Sequence, residues 1–366
     1  MATDKAFTNE ISLNKWLEIA VQKRASDFHI GEGVCPSIRV DGELVYLDDK
    51  PFSYEYMTKL LRETLNEDRL KMFERERELD YSFGIQNVGR FRVNLFFQRG
   101  AIGAAIRALP FIPMSFTQIG FPEAVAESLV SRPSGLILVT GPTGSGKTTT
   151  LAAMIDYINA HYACHIVTIE DPIEFLFRNQ KAKVSQREVG GDTHSFSQAL
   201  KHVLRQDPDV ILIGEMRDLE TIEIALTVAE TGHLVFATLH TPDAVQSINR
   251  VIDVFPAHQQ QQVRVQLSFV LQAIVSQQLL PRKGGGLAMA PEILLATPAI
   301  RTLIRESKSH QIYSSVQMGQ KEGMKTLNMS LTELVKAGHV TKDEAISRSM
   351  DVLEFERLLG QGSKNK

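Results

Sequence analysis

Gly141-Pro142-Thr143-Gly144-Ser145-Gly146-Lys147-Thr148 is the stretch on which the reading of this chain turns. The apolar run Leu136-Ile137-Leu138-Val139 precedes it, and a helical pattern over residues 148–158 follows. Strand, glycine-rich turn and helix in that order give G-x-x-x-x-G-K-[ST] its proper setting. Glycines let backbone N–H groups turn inward around phosphate oxygens. The start of the helix adds positive potential. Lys147 has the reach for the β- and γ-phosphates, and the Thr148 hydroxyl can ligate Mg²⁺. A merely structural turn has no use for the Lys-Thr pair. The residues therefore point to a nucleoside triphosphate with Mg²⁺. Gly141, Thr143, Gly144, Ser145, Gly146, Lys147, Thr148 and Thr149 form the expected contact set.

Outward from the loop, apolar strands at Gly135–Thr140, His165–Glu170, Val210–Ile213 and Leu234–Leu239 alternate with helices starting at Lys147, Ser195 and Leu219. Such alternation predicts an α/β fold with a parallel-rich sheet covered on both faces. Ligands in open parallel sheets sit at the carboxyl ends of the strands, so acids there are candidates. One strand runs into Glu170-Asp171-Pro172-Ile173-Glu174, another into Gly214-Glu215. Glu215 is assigned to the Mg²⁺ shell with Thr148. Glu174 is favoured over Glu215 as the base that orients or deprotonates the attacking water, because Pro172 turns the chain there. Asp209, at the opposite strand end, reads as a cap or turn acid.

His233 and His240 bracket one strand. Seven residues at about 3.3 Å each put them some 20 Å apart if it is extended, so they cannot share one γ-phosphate. His240, at the carboxyl end, is the candidate γ-phosphate sensor. His233 is expected to contact another element or a neighbouring subunit, and His165 and His194 read as structural.

Residues 1–109 form a smaller α+β unit. Leu13, Trp16, Leu17 and Ala20 make a helical stripe. Short strands are predicted at residues 26–30 and 37–40, separated by the turn formers Gly31, Gly33 and Pro36, and Val40-Asp41-Gly42-Glu43-Leu44 signals a hairpin. Helices are expected over residues 54–65 and 68–77, then strands over 79–85, 90–97 and 102–109. Phe91, Val93 and Leu95 alternate with Arg90, Arg92 and Asn94. Arg90, Arg92 and Arg107 either neutralise γ-phosphate charge in trans or lie as solvated arginines on a sheet face. Pro110 and Pro113 mark a linker, residues 110–117, and residues 118–366 carry the larger domain. The end of the chain reads as helical, with starts at Thr297-Pro298 and at Thr341 through Glu344 and a frayed tail over 360–366. The run at 259–262 reads as the start of a helix continuing through Leu267, Leu271, Ile274 and Val275.

Composition bounds the partners. Forty basic and 43 acidic side chains in 366 residues give a net charge of -3, with no general pull toward nucleic acid or an anionic surface. Cys35 and Cys164 can form neither a disulfide framework nor a four-cysteine zinc site. The first residues lack the basic start and apolar core of a secretion signal, and no apolar run approaches the roughly 20 residues of a membrane span. The expectation is a soluble cytoplasmic protein.

Five strings resemble one family: 141–159, TIEDPIEF at 168–175, SQREVG at 185–190, LRQDPDVILIGEMRDLET at 204–221 and ETGHLVFATLHT at 230–241. They are similar to the Walker A, Asp box, Walker B and His box of the type II/IV secretion ATPases. ATPAIRTLIRESK at 296–308 resembles the signature of the family's pilus-retraction branch. The resemblance implies a homohexameric ring of protomers, each with a PAS-like N-terminal domain and a RecA-like P-loop ATPase domain. ATP would sit between the two, reached by the first domain's arginines. It implies roles for Lys147 and Thr148 in Walker A, Glu174 in the Asp box, Glu215 in Walker B, and His233 and His240 in the His box. It also implies hydrolysis that turns an inner-membrane platform protein from its cytoplasmic face and returns pilins to the membrane. An accessory retraction paralogue is a possible further partner, and nucleic acid is not one. In the 296–308 signature, Ile300, Leu303 and Ile304 are expected to pack the helix down and leave Arg301 and Arg305 free for polar contacts.

Overall fold

The computed structural model describes residues 11–40, 42–86, 88–109 and 113–360. Asp41 of the expected hairpin, Pro110 of the expected linker and residues 361–366 lie outside that set. The chain divides into two units, Met1–Ile112 with Pro172–Leu176, and Pro113–Asp171 with Phe177–Lys366.

The first unit carries β1 (Asp27–Gly31), β2 (Val34–Val40), β3 (Glu43–Tyr46), β4 (Glu78–Ile85), β5 (Gly89–Gln98) and β6 (Ala101–Leu109). They form one antiparallel sheet in the order β3-β2-β1-β6-β5-β4. Helices Leu13–Gln22, Tyr54–Arg62 and Glu67–Glu76 supply the other side of its core, around Trp16, Phe28, Phe52, Met57 and Phe91. The Leu13, Trp16, Leu17, Ala20 stripe is buried as its spacing requires. Pro36 falls inside β2 rather than in a turn. The β1–β2 register slips between His29 and Gly31, opposite this stretch, and a bulge is where a strand tolerates a residue without an N–H. Alternation along β5 buries Phe91, Val93 and Leu95 and sends Arg90 and Arg92 to the other face. Arg92 pairs directly with Arg107 on β6.

The second unit is built on β7 (Gly135–Thr140), β8 (His165–Glu170), β9 (Lys183–Glu188), β10 (Val210–Ile213), β11 (Leu234–Leu239), β12 (Leu271–Pro281) and β13 (Leu287–Leu295). The order is β13-β12-β7-β11-β10-β8-β9, parallel except for β13. Helices Lys147–His161, Phe196–Val203, Leu219–Glu230 and Ala244–Asp253 connect its strands. Apolar side chains divide between two faces. On β11, Val235, Ala237 and Leu239 enter one cluster, and Leu234 and Phe236 the other. A short helix, Phe116–Ile119, begins inside the stretch read as linker. Ser115 and Gln118 cap it reciprocally, and Phe116 packs against Tyr157.

Two expectations fail here. The helix Ala257–Val270 stops before Leu271, and Leu271, Ile274 and Val275 belong to strand β12. β12 is buried on both faces: Leu271 and Ile274 enter one cluster, Ala273 and Val275 the other. A strand buried on both faces shows no alternation, so its spacing imitates a helix. The end of the chain is therefore not wholly helical, since β12 and β13 close the sheet.

Arg301 makes polar contacts, as expected, and makes them within its own chain. Ile300 and Ile304 are buried and Leu303 packs beside them, as expected. Arg301 Nη1 donates to the carbonyls of Ser268 at 2.6 Å and Phe269 at 2.7 Å. It thereby caps the carboxyl end of the helix Ala257–Val270, where unpaired carbonyls and the helix dipole favour a cation. Burial, with Arg132 and Arg305 nearby, lowers its pKa. Arg305 donates to Thr302 and lies over the Phe269 ring.

Glu292, on β13, ties two helices to the sheet. Its Oε1 accepts from Ala244 N at 2.8 Å, and the carboxylate also accepts from Leu327 N. These amides open the helices Ala244–Asp253 and Leu327–Lys336. Burial, with Asp243 close by, pushes Glu292 from 4.5 up to about 7.

Two predictions follow from this packing. Arg301→Ala removes two charge-assisted bonds from a half-buried helix end and should cost about 1–2 kcal/mol, read as a lower denaturant midpoint. An unchanged midpoint contradicts the capping role. The folded state holds the Glu292 proton more tightly than the unfolded chain, so stability falls as pH rises from 4.5 to about 7. Glu292→Gln should remove that component from the melting temperature measured across this window, and equal slopes for variant and parent would contradict it.

Candidate nucleotide site

The loop after β7 is shaped by contact with β12. The parallel register sets Thr140 beside Ser276, their hydroxyls 2.7 Å apart. Gly141 follows with φ +139°, where a Cβ would lie 2.4 Å from the carbonyl oxygen of Gln277 and 2.6 Å from Ser145 Oγ. No side chain fits there. Gly144 and Gly146 also take positive φ, +79° and +85°, which lets the chain curl before the helix Lys147–His161. Pro142, Thr143 and Gly144 are exposed at the tip, Thr148 and Thr149 half-buried, and Ser145 and Lys147 buried. Lys147 Nζ donates to Gly141 O at 2.8 Å and Pro142 O at 3.0 Å. The ammonium thus lies in the bend of the loop. Ser145 Oγ is buried without a hydrogen-bond partner. A cationic bend, a helix start and an unsatisfied hydroxyl fit a phosphate.

Register brings the neighbouring strand ends to the same edge. Leu239 of β11 pairs with Thr140 of β7, and Ile213 of β10 with Ala237 of β11. The residues just beyond are Gly141, His240 and Gly214-Glu215. Glu215 and His240 meet as a result, with His240 Nε2 3.3 Å from Glu215 Oε2. Arg217 Nε holds Glu215 Oε1 at 2.7 Å. Hydroxyl and carboxylate oxygens at Thr148 and Glu215 are hard donors of the kind Mg²⁺ takes, together with substrate phosphates. Among the described residues, no three His, Cys, Asp or Glu side chains group as a metal site.

The remaining candidates lie elsewhere. His233 stands at the opposite end of β11, its Nδ1 3.1 Å from Thr231 Oγ1 and 3.2 Å from the Val228 carbonyl. Glu174 lies in Pro172–Leu176, which groups with the first unit. Arg107 Nε pairs with Asp27 at 2.8 Å, Arg90 Nη2 bonds Ser82 Oγ at 2.6 Å, and Arg92 is exposed; all three are in the first unit. Asp209 accepts from His165 N, the capping role its position suggested. Two polar partners, Arg217 and Gln277, escaped the sequence reading, and Glu170 was named only among the strand-end acids. Arg217 lies two residues past Glu215. Glu170, 6% exposed, accepts from Thr168 and Gln186. Gln277 lies under the loop on the strand misread as helix.

The profile of the type II/IV secretion system proteins matches residues 1–357. The type IV pilus retraction ATPase PilT of Pseudomonas aeruginosa is 48% identical over 335 residues, 92% of this chain and 97% of that protein. The type IV pilus ATPase PilU of the same organism is 38% identical over 97% of this chain and 93% of its own length. A crystal structure of the pilus retraction motor PilT with bound ADP superimposes with a TM-score of 0.88 at 49% identity, covering 95% of this chain and all of that one. Among the described residues no helix is long and apolar enough to cross a membrane. With near-complete coverage in sequence and in fold, this chain belongs to the type II/IV secretion system protein family.

Proposed function

We propose that this chain is a Mg²⁺-dependent ATPase that powers type IV pilus retraction. The observation that carries the chemistry is the shared edge of β7, β10 and β11, where the loop, Glu215 and His240 come together. Similarity to PilT over 92% of the chain supports the biological role. In this reading Lys147 exchanges the carbonyls of Gly141 and Pro142 for phosphate oxygens when ATP enters. Loop amides and the helix start take up the remaining phosphate charge. Thr148 and Glu215 would hold Mg²⁺, which would supply charge neutralisation to the phosphates. His240 contacts the γ-phosphate and reports its presence to Glu215 through their shared edge. Arg217 keeps the Glu215 carboxylate oriented.

Glu174 is proposed as the base for the attacking water. The facing pair Arg92 and Arg107 supports a role for these arginines in neutralising transition-state charge. Arg90 belongs to the same proposal, and His233 to a subunit contact. We further propose a PAS-like first domain, a RecA-like second domain and a homohexamer. It would act on an inner-membrane platform protein from the cytoplasmic side, with a PilU-like paralogue as a possible accessory and no nucleic-acid partner.

Release of inorganic phosphate from ATP with Mg²⁺ tests the reading. Lys147→Ala should lower turnover at least about 100-fold; turnover retained in that variant contradicts the assigned loop. Glu174→Gln should abolish turnover while leaving ATP bound, and Glu215→Gln should weaken the Mg²⁺ dependence. If Glu174→Gln turns over normally, the base is not Glu174.

A further inference from the structure

Gln277 of β12 is 1% exposed and lies against both ends of the phosphate loop. Its backbone carbonyl closes on the α-carbon of Gly141. Its side-chain Nε2 donates to the carbonyl of Ser145 at 2.7 Å. Only the amide nitrogen can donate to a carbonyl, so the side-chain orientation is dictated. Its Oε1 is buried without a partner, as is Ser145 Oγ. An amide kept dry with half its capacity unused costs stability, and nothing in the packing of β12 against its neighbours requires one there.

Peptide geometry explains what the contact achieves. In a trans peptide the carbonyl of Ser145 and the N–H of Gly146 lie in one plane and point in opposite directions. Gln277 draws the carbonyl toward β12, and the Gly146 N–H therefore faces away from β12. Gly146 itself sits at φ +85°, with the position of a Cβ only 3.2 Å from Gln277 Nε2. This peptide can otherwise rotate, because glycine on one side leaves both carbonyl orientations accessible.

We propose that Gln277 is a positioning residue for the nucleotide: it locks the Ser145–Gly146 peptide so that the Gly146 N–H is presented to a bound phosphate. This rests on the reading of the loop as the phosphate site. A donor held in place before the ligand arrives saves the ordering cost on binding. Because the N–H contacts a phosphate in substrate and product alike, the gain appears in affinity rather than turnover.

The test uses the full chain, with fluorescent ADP and ATP as probes. Gln277→Met keeps the length and buried volume and removes the donor. It should bind ADP about tenfold more weakly and raise KM for ATP to match, with kcat within about threefold and an unchanged melting temperature. Gln277→Glu supplies the informative pH dependence. As a carboxylate it faces the Ser145 carbonyl and should bind worse than Gln277→Met. Once protonated it can donate, and burial raises its pKa, so its affinity should recover as pH falls from 8 to 6 relative to the parent. Lys147→Ala is the control for the loop itself. Loss of ADP binding there, with Gln277→Met within twofold of the parent, overturns this inference alone. So does a Gln277→Glu variant without recovery at low pH. ADP bound normally by Lys147→Ala overturns the reading of the loop and the role of Gln277 with it.

Discussion

The carbonyl of Gln277 on β12 presses against the α-carbon of Gly141, so closely that a single added carbon would lie 2.4 Å from it. That approach lets the chain leave β7, turn at once and start the helix Lys147–His161. A side chain at Gly141 would push the loop away from β12 and carry Ser145, Lys147 and Thr148 with it. The strand beneath the loop is consequently part of the site. Its partner β13 carries Glu292, which holds the first amides of two helices. One of these helices follows the segment between His240 and Asp243. A change at the phosphate edge thus has a short covalent route to the helix Ala244–Asp253 and, through the hydrogen bonds of Glu292, to the helix Leu327–Lys336.

Register does the rest. Parallel pairing sets the ends of β7, β11 and β10 side by side, so residues separated by 25 positions, Glu215 and His240, come within 3.3 Å. The supporting strands β7, β10 and β11 are buried along their whole length, and a one-residue slip would turn the whole set over. The chemistry is placed by backbone pairing rather than by long side chains reaching across a cavity. Arg217, on the opposite oxygen of Glu215, fixes the carboxylate where pairing has delivered it.

Much of this was legible in the sequence. The loop motif, the strands Gly135–Thr140, His165–Glu170, Val210–Ile213 and Leu234–Leu239, and Glu215 with His240 at their carboxyl ends follow from local spacing and the rule for parallel sheets. The Arg-bearing face of β5 follows from simple alternation. What was not legible depended on partners distant in sequence. Nothing in Gln277 or Glu292 marks them, because each matters through a backbone group dozens of residues or more away. β12 was hidden because burial on both faces erases the period that separates strand from helix. Arg301 was expected to make polar contacts, but its partners were not legible because the carbonyls it caps belong to another helix. Pro36 looked like a turn former because the bulge that tolerates it is a property of the β1–β2 pair.

The central claim is that the backbone of residues 143–149 closes on a triphosphate. Amide hydrogen exchange with and without Mg²⁺-nucleotide examines those N–H groups directly. The account predicts that peptides spanning 143–149 become strongly protected on adding nucleotide, and that this protection is lost in Lys147→Ala. Exchange in that segment unchanged by saturating nucleotide would contradict it.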